Sequence, residues 1–505
     1  MPPRITGRRL GVALASAALL ATSLVGSAGT ASSAEEAAST PVPISTPDGL
    51  LMSYVVNAKA ENPGQTLLAE RAVRAAGGTV VQSWPQVGVV IAHSTRAAFR
   101  SDVVRLAEGH AVESVGATRT VAVTEGTPGA EAPTNGASPG ESWHSRIAQQ
   151  PTVDGLAAGD VTAAAPAPDP REGEQWDMQL IKADQAHAVT DGSRDVLVGD
   201  LDSGIDVTHP DLAPNIDAAD SVSCIDAGVP DTSPTSYLPT TSGHGTHTAG
   251  TIAAARNGIG IVGVAPNVRI ASVKVVNDDG FIYPEYAICG FMWAALHHMD
   301  VTNNSYFIDP WEFWCADQPD QAAGMDAVSR AVRFSEQHGV VSAAAAGNSA
   351  LDLANKTTDR DSPDDQPPSG IVNRTINNDC KDIPTELPGV ATVSSITRTS
   401  ALSSFSNIGL GVIDVSAPGS SVLSTFPGGG YALMSGTSMA SPHAAGVLAL
   451  LKSAHPDATP AQLIDMLRSE ADDHACPTGV ARCVGTDADN GYYGEGITDA
   501  LDAVG

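Results

Sequence analysis

Three short stretches follow one another along the chain and together could carry out nucleophilic chemistry: LDSGID with Asp202, GHGTHTAG with His244, and GTSMASPHAAG with Ser438. A serine hydroxyl is a weak nucleophile near neutral pH, so it needs an imidazole within hydrogen-bond reach to take its proton as it attacks a carbonyl. The imidazole needs a carboxylate behind it, which fixes the tautomer and stabilises the imidazolium that forms. Each stretch alone has a plainer reading. An Asp before a Gly is ordinary turn chemistry. His244 and His247 lie one helical turn apart and could face a metal, although no HExxH glutamate or third ligand accompanies them. Ser438 could cap the apolar, small-residue helix that follows it, a role compatible with catalysis. The three patterns gain force because their contexts agree.

Those contexts are the elements that must position the three side chains. DVLVGDL, residues 195–201, is a short apolar run that predicts a buried parallel strand with Asp202 at its C-terminal end. HTAGTIAAA is small and apolar and suits a helix packed on a sheet, with His244 near its N-terminus. VRIASVKVV, DVTNNS, GVATVSSI and DVSAP read as further strands, YPEYAICGFMWAALHHM and DAVSRAVRFSEQHG as helices, and PAQLIDMLRSEA as the final helix. Alternation of this kind predicts an α/β fold built on a parallel sheet with right-handed crossovers and helices on both faces. In such sheets reactive groups gather at the carboxyl ends of the strands, so all three motifs fall on one rim.

The order acid, base, nucleophile is one of three unrelated orders in which such triads occur, and the chain resembles the subtilisin-like serine peptidases. The resemblance implies a subtilisin-like parallel-sheet sandwich with Asp202, His244 and Ser438 as catalytic residues. It gives Asn348, in the polar turn after the strand-like GVVSAAAAGNS, the task of stabilising the oxyanion, with the Ser438 backbone N–H as second donor; such donors matter where charge develops on a carbonyl oxygen. Substrate peptides in this family pair with backbone at the cleft edge, which here falls at Asn304, Ser305 and Tyr306. The bulky Tyr306, Phe307 and WEFWC depart from the small residues of many relatives, leaving side-chain preference open. ARNGIGIVG, residues 255–263, resembles the family's calcium loop, with Asp211, Asn257 and the carbonyls of Ala255, Ile259 and Ile261 as oxygen ligands and Glu172 or Gln175 as a further one. A plain Asn-Gly turn is the alternative. No cofactor is expected in the chemistry itself.

With 505 residues, length alone suggests about three domain-sized units. Arg4, Arg8 and Arg9, an apolar run and small residues through Ala34 predict a secretory signal peptide over 1–34, so the localisation expected is extracellular, with no stable membrane anchor after its removal. Residues 50–124 alternate strand and helix patterns in the order β-α-β-β-α-β, resembling the family's small ferredoxin-like α+β propeptide, which would act as an intramolecular inhibitor; a free-standing binding domain of that shape is the alternative. Residues 125–172 are rich in Pro, Gly and Ala and predict a flexible linker. The catalytic domain is expected over 173–503. A formal charge of −30, from 27 basic and 57 acidic residues, argues against nucleic acid as a partner. Six cysteines in an exported chain predict disulfides. Cys476 pairs locally with Cys483, and Cys224, Cys289, Cys315 and Cys380 have three pairings open to them.

The function expected is therefore that of a secreted serine endopeptidase made as a proenzyme, acting as a monomer on polypeptide substrates. A selective processing peptidase and a peptide-binding pseudoenzyme are the rival readings.

Overall fold

The computed structural model describes residues 38–124, 148–153 and 168–505. The expected signal peptide and most of the expected linker lie outside the described residues. Within that linker, residues 148–153 form a strand rather than free chain.

The N-terminal part has the expected element order: β1 Met52–Ala58, α1 Pro63–Ala75, β2 Thr79–Trp84, β3 Val89–Ser94, α2 Phe99–Leu106 and β4 Val112–Ala117. Asn62 starts α1 by accepting the Gln65 N–H on its side chain, and Pro63 occupies the first helical position, where a missing N–H costs nothing. The four strands form an antiparallel sheet in the order β2-β3-β1-β4.

After β5 Ala148–Val153 come two short helices, α3 Trp176–Leu180 and α4 Ala183–Ala186. The strands and helices that follow are β6 Leu197–Asp202, β7 Val222–Asp226, β8 Val229–Asp231, α5 His244–Ala253, β9 Arg269–Lys274, α6 Pro284–Leu296 and β10 Val301–Asn304. Next are β11 Trp314–Cys315, α7 Pro319–Gln337, β12 Val341–Ala345, β13 Thr358–Asp359, β14 Arg374–Thr375 and β15 Cys380–Lys381. The chain closes with β16 Val390–Ile396, β17 Val415–Pro418, β18 Val422–Phe426, β19 Gly430–Ser435, α8 Thr437–Ala454 and α9 Pro460–Ser469.

The central sheet runs β17-β16-β12-β10-β6-β9-β7-β8, parallel throughout except for β8. Its neighbours β9 and β10 lie on opposite sides of β6, so the winding reverses at β6 and opens a crevice at the strand tips there. Side-chain alternation decides what each face meets. Leu197 and Leu201 of β6 join the core under α6 and α7, whereas Val196 and Val198 join the core under α5 and α8. Asp200 and Asp202 have the parity of Val198 and so face α5 and α8.

The N-terminal sheet lies against α6 and α7 through polar contacts. Asn57 donates to the Ala323 carbonyl at 2.9 Å, and the Ala117 N–H donates to Asp320 at 2.9 Å. A β-carbon on Gly116 would sit 2.5 Å from the Asp320 carbonyl oxygen, so the close approach of β4 to α7 requires glycine. Arg119 is buried, pairs with Glu285 of α6 at 2.5 Å and covers the Tyr283 ring at 3.8 Å. Burial acts to raise the Glu285 carboxyl, but Arg119 and its hydrogen bonds outweigh it and hold the group below its usual range. Removing one member of a buried pair strands the other charge, whereas exposed pairs contribute little. Arg119→Met is therefore expected to destabilise the intact chain by about 3–5 kcal/mol. Arg333→Met, which opens the exposed Arg333–Glu61 pair, is expected to cost under about 1 kcal/mol. Urea denaturation of both variants checks this, and equal small losses would contradict it.

Candidate active site

Asp202 ends β6, and His244 is the first residue of α5. His244 Nδ1 lies 2.8 and 2.9 Å from the two carboxylate oxygens of Asp202, and both side chains are buried. The Ser203 N–H also donates to Asp202 Oδ1, at 2.6 Å. A carboxylate held in this way requires the proton of a neutral His244 on Nδ1, leaving Nε2 as the basic nitrogen.

Ser438 is the second residue of α8, which packs on α5. Its hydroxyl donates to the Ser305 carbonyl at 3.2 Å, and the Ser305 hydroxyl donates to the Ser438 carbonyl at 3.0 Å. The second contact follows from the sequence. Pro442 lies four residues beyond Ser438 inside the helix and has no N–H to give that carbonyl, so Ser305 from the tip of β10 supplies the bond. Asn348 follows β12 and accepts the N–H and hydroxyl of Thr437 on its side-chain oxygen, at 2.8 and 2.9 Å. The Asn348 amide nitrogen and the Ser438 backbone nitrogen each lie 3.6 Å from the point a β-carbon on Gly436 would occupy. The tips of three adjacent strands, β6, β10 and β12, carry Asp202, Ser305 and Asn348.

Of the three residues expected at the substrate edge, Asn304 is wholly buried, its amide nitrogen giving bonds to Thr302 and the Ala343 carbonyl. Tyr306 donates its hydroxyl to Asn304 and is almost fully buried. Burial, then the nearby carboxylates of Asp202 and Asp200, push the phenol well above its ordinary range. Ser305 and Tyr306 line a cavity that also touches Ser438 and Asn348.

His247 engages backbone through its Nε2. It is buried with Nε2 between the Ala432 and Val422 carbonyls, at 3.1 and 3.2 Å, and burial pushes it down to about 3. Among the described residues no group of three or more His, Cys, Asp or Glu converges on a metal position. The expected calcium loop is of another kind, with few acids. Asp211 Oδ2 accepts the Ile261 N–H at 3.0 Å and the Tyr431 hydroxyl at 2.7 Å, while the buried Oδ1 has no hydrogen-bond partner. Burial pushes this carboxyl up to about 6. The Ala255 N–H donates to the Asp211 carbonyl at 2.7 Å, and Asn257 gives its amide to the Pro210 carbonyl at 3.1 Å and accepts the Ile259 N–H at 3.2 Å. Glu172 accepts the Arg256 guanidinium, and Gln175 bonds both backbone groups of Val262. Asp169, which stands in no motif, lies beside the loop and accepts the N–H groups of Asn257 and Gly258 at 3.1 and 2.7 Å.

Asp200 stands in no motif either, though strand alternation from Asp202 marks it. It accepts Thr248 of α5 and Asn303 of β10 at 2.8 and 2.9 Å, and Asn303 accepts Ser441 of α8 at 2.7 Å. Burial, then the neighbouring Asp202 charge, push its carboxyl well above the usual range.

The family model described as the Subtilase family matches residues 193–496, more than half of the chain and all three motifs. The chain belongs to the subtilase family. Subtilisin NAT of Bacillus subtilis subsp. natto is 36% identical over 296 residues, which cover 59% of this chain and 65% of the relative, slightly under two thirds of its length. Subtilisin DY of Bacillus licheniformis is 33% identical over 322 residues, covering 64% of this chain and 95% of the relative. Among solved structures, the epidermin leader peptide processing serine protease (EpiP) of Staphylococcus aureus superposes with a TM-score of 0.62 at 20% identity, covering 90% of this chain and 98% of that one. Fervidolysin of Fervidobacterium pennivorans gives 0.60 at 23% identity, covering 90% and 61%. At these identities the two structures speak for the fold.

In this subtilase the Ser305 hydroxyl is the donor that Pro442 denies to the Ser438 carbonyl. Removing one partner leaves a buried acceptor unsatisfied. Ser305→Ala is expected to lower stability by about 1–3 kcal/mol, measured by urea denaturation. Stability equal to that of the unaltered chain would mean that the carbonyl finds another donor.

Proposed function

We propose that this chain is a secreted serine endopeptidase, made as a proenzyme, which hydrolyses peptide bonds through an acyl-enzyme on Ser438. The observation that carries the reading is the buried Asp202–His244 pair at 2.8 Å on the same strand-tip rim as Ser438 and Asn348. In the proposed cycle Ser438 Oγ attacks the substrate carbonyl carbon and its proton passes to His244 Nε2. Asp202 holds the imidazolium in place, and the oxyanion is received by the Asn348 amide and the Ser438 N–H. His244 then protonates the leaving amine, and a water deprotonated by His244 releases the acyl group.

The N-terminal sheet, held on α6 and α7 through Arg119, Asn57 and Asp320, is proposed as the inhibitory propeptide and the chain before it as the export signal. Three disulfides, Cys224–Cys289, Cys315–Cys380 and Cys476–Cys483, suit an oxidising compartment. Among the described residues no helix is long and apolar enough to cross a membrane.

The test is direct. The unaltered chain is expected to cleave casein and to be labelled by a serine-directed phosphonylating reagent, and Ser438→Ala to do neither. Absence of labelling would leave a peptide-binding protein without turnover. Asn348→Ala is expected to lower kcat by about 100- to 1,000-fold, and Asp202→Asn by about 10,000-fold; these magnitudes come from serine peptidases already characterised, subtilisin among them, and not from this chain.

We further propose a structural calcium ion at the 255–261 loop. Asp211, Asn257 and the carbonyls of Ala255, Ile259 and Ile261 would hold it, and the partnerless Asp211 Oδ1 fits such a hard cation. The ion would stabilise the folded chain without entering the reaction. A chelator is expected to lower the melting midpoint and added calcium to restore it; an unchanged midpoint would remove the site.

A further inference from the structure

The Asp200 carboxyl sits between the two helices that carry His244 and Ser438. It lies two residues before Asp202 on β6, with the same parity, and only 1% of its surface is exposed. Its Oδ2 lies 2.8 Å from the Thr248 hydroxyl. Thr248 stands one helical turn after His244 and also reaches the Gly245 carbonyl, in the first turn of α5, at 3.1 Å. The other oxygen, Oδ1, accepts the Asn303 amide at 2.9 Å. Asn303 in turn holds the start of α8: its oxygen accepts the Ser441 hydroxyl at 2.7 Å, and its nitrogen donates to the Ser305 hydroxyl at 3.1 Å. Ser305 then donates to the Ser438 carbonyl. One side chain thus links the turn that carries His244 to the turn that carries Ser438.

The count of protons decides in which form Asp200 makes this link. A threonine hydroxyl has one proton to give. If Asp200 is ionised, the Thr248 proton goes to Oδ2 and the Gly245 carbonyl receives none from it. If Asp200 keeps a proton on Oδ2, it donates to Thr248, Thr248 donates onward to Gly245, and Oδ1 still accepts Asn303. Only the neutral form turns all three contacts into hydrogen bonds at once. The surroundings favour that form, since burial and the Asp202 charge both oppose ionisation. The basic groups on the neighbouring elements have other partners. On α5, His244 faces Asp202 and His247 lies between backbone carbonyls; His443 of α8 lies 3.1 Å from Asp177, and Lys274 of β9 turns to Thr240 and Asp278. After β10, Tyr306 gives its hydroxyl to Asn304 and adds no positive charge.

We propose that Asp200, in its neutral form, is a positioning residue of the peptidase, which sets the first turn of α5 against the start of α8 and so the approach of His244 to Ser438. The inference rests on the peptidase reading above and deepens it. Asp200 touches neither the substrate nor the reacting atoms and acts through Thr248 and Asn303.

Substitutions at Asp200 test this on the active enzyme, with kcat and KM for a fluorogenic peptide read across pH and phosphonate labelling of Ser438 run in parallel. Asp200→Asn reproduces the neutral acid, with an N–H for Thr248 and a carbonyl for Asn303. It is expected to keep kcat within about threefold and to leave the acid limb of kcat/KM, which reports the ionisation of His244, at the same pH. Asp200→Val fills the strand without either bond and is expected to lower kcat by about 10- to 100-fold with little change in KM, the scale of a displacement of about 1 Å between reacting groups. Thr248→Val, which cuts only the α5 side, is expected to lower kcat in the same sense, and the double variant to lose less than the product of the two single losses. An acid limb moved to lower pH in Asp200→Asn overturns the inference, because it means that a negative charge which favoured the imidazolium has been removed. A kcat that Asp200→Val leaves unchanged, or that Asp200→Asn lowers as far as Asp200→Val, overturns it too, and each of these results leaves the peptidase reading standing. Should Asp200→Val not fold, the pH profile of Asp200→Asn and the kcat of Thr248→Val decide in the same way. A chain that neither labels nor cleaves the peptide overturns both readings.

Discussion

Two carboxylates, Asp200 and Asp202, project from the same face of one buried strand, and the arrangement of the surrounding side chains answers to that constraint. A buried charge must be paired or hydrogen-bonded, and two so close cannot be accommodated alike. Asp202 is given a backbone N–H and the His244 imidazole. Asp200 is pushed toward its neutral form and tied to Thr248 and Asn303. The side-chain partners come from α5 and β10, so satisfying the pair fixes both elements against β6. Through Asn303 and Ser441 it fixes α8 as well.

The start of α8 is positioned by an equivalent logic. Pro442 leaves the Ser438 carbonyl without a helical donor, and Ser305 at the end of β10 fills the gap. The Thr437 N–H has no helical acceptor because it lies in the first turn, and Asn348 after β12 accepts it. The start of α8 is thus held by two strand tips through bonds that the helix cannot make for itself.

Away from the rim, two excursions, one between β10 and β12 and one between β12 and β16, build what a bare sheet lacks. The first carries α7, on which the N-terminal sheet rests, and β11, which the Cys315–Cys380 disulfide joins to β15 of the second. The second also supplies Asp365, which accepts the Thr120 N–H from the N-terminal part at 2.7 Å.

The amino-acid sequence by itself determined the three motifs, their order, the alternation of strands and helices and the position of Asn348 after a strand. Those features are local: an apolar run, a small-residue helix or a Gly-flanked turn is dictated by neighbours in the chain. It also carried the 255–263 turn with Asn257 and the Cys476–Cys483 pair, each of them close in sequence. The pairing of Cys224 with Cys289 and of Cys315 with Cys380 was decided only by the tertiary structure, because the helices and strands between them set which sulfurs meet. Tyr306 could be read as bulky but not as buried wall, since its burial depends on packing beside Asp202 and Asp200. Glu312 and Asp382 carried no motif at all, lying 70 residues apart in sequence. Long-range packing alone makes them neighbours of one cavity.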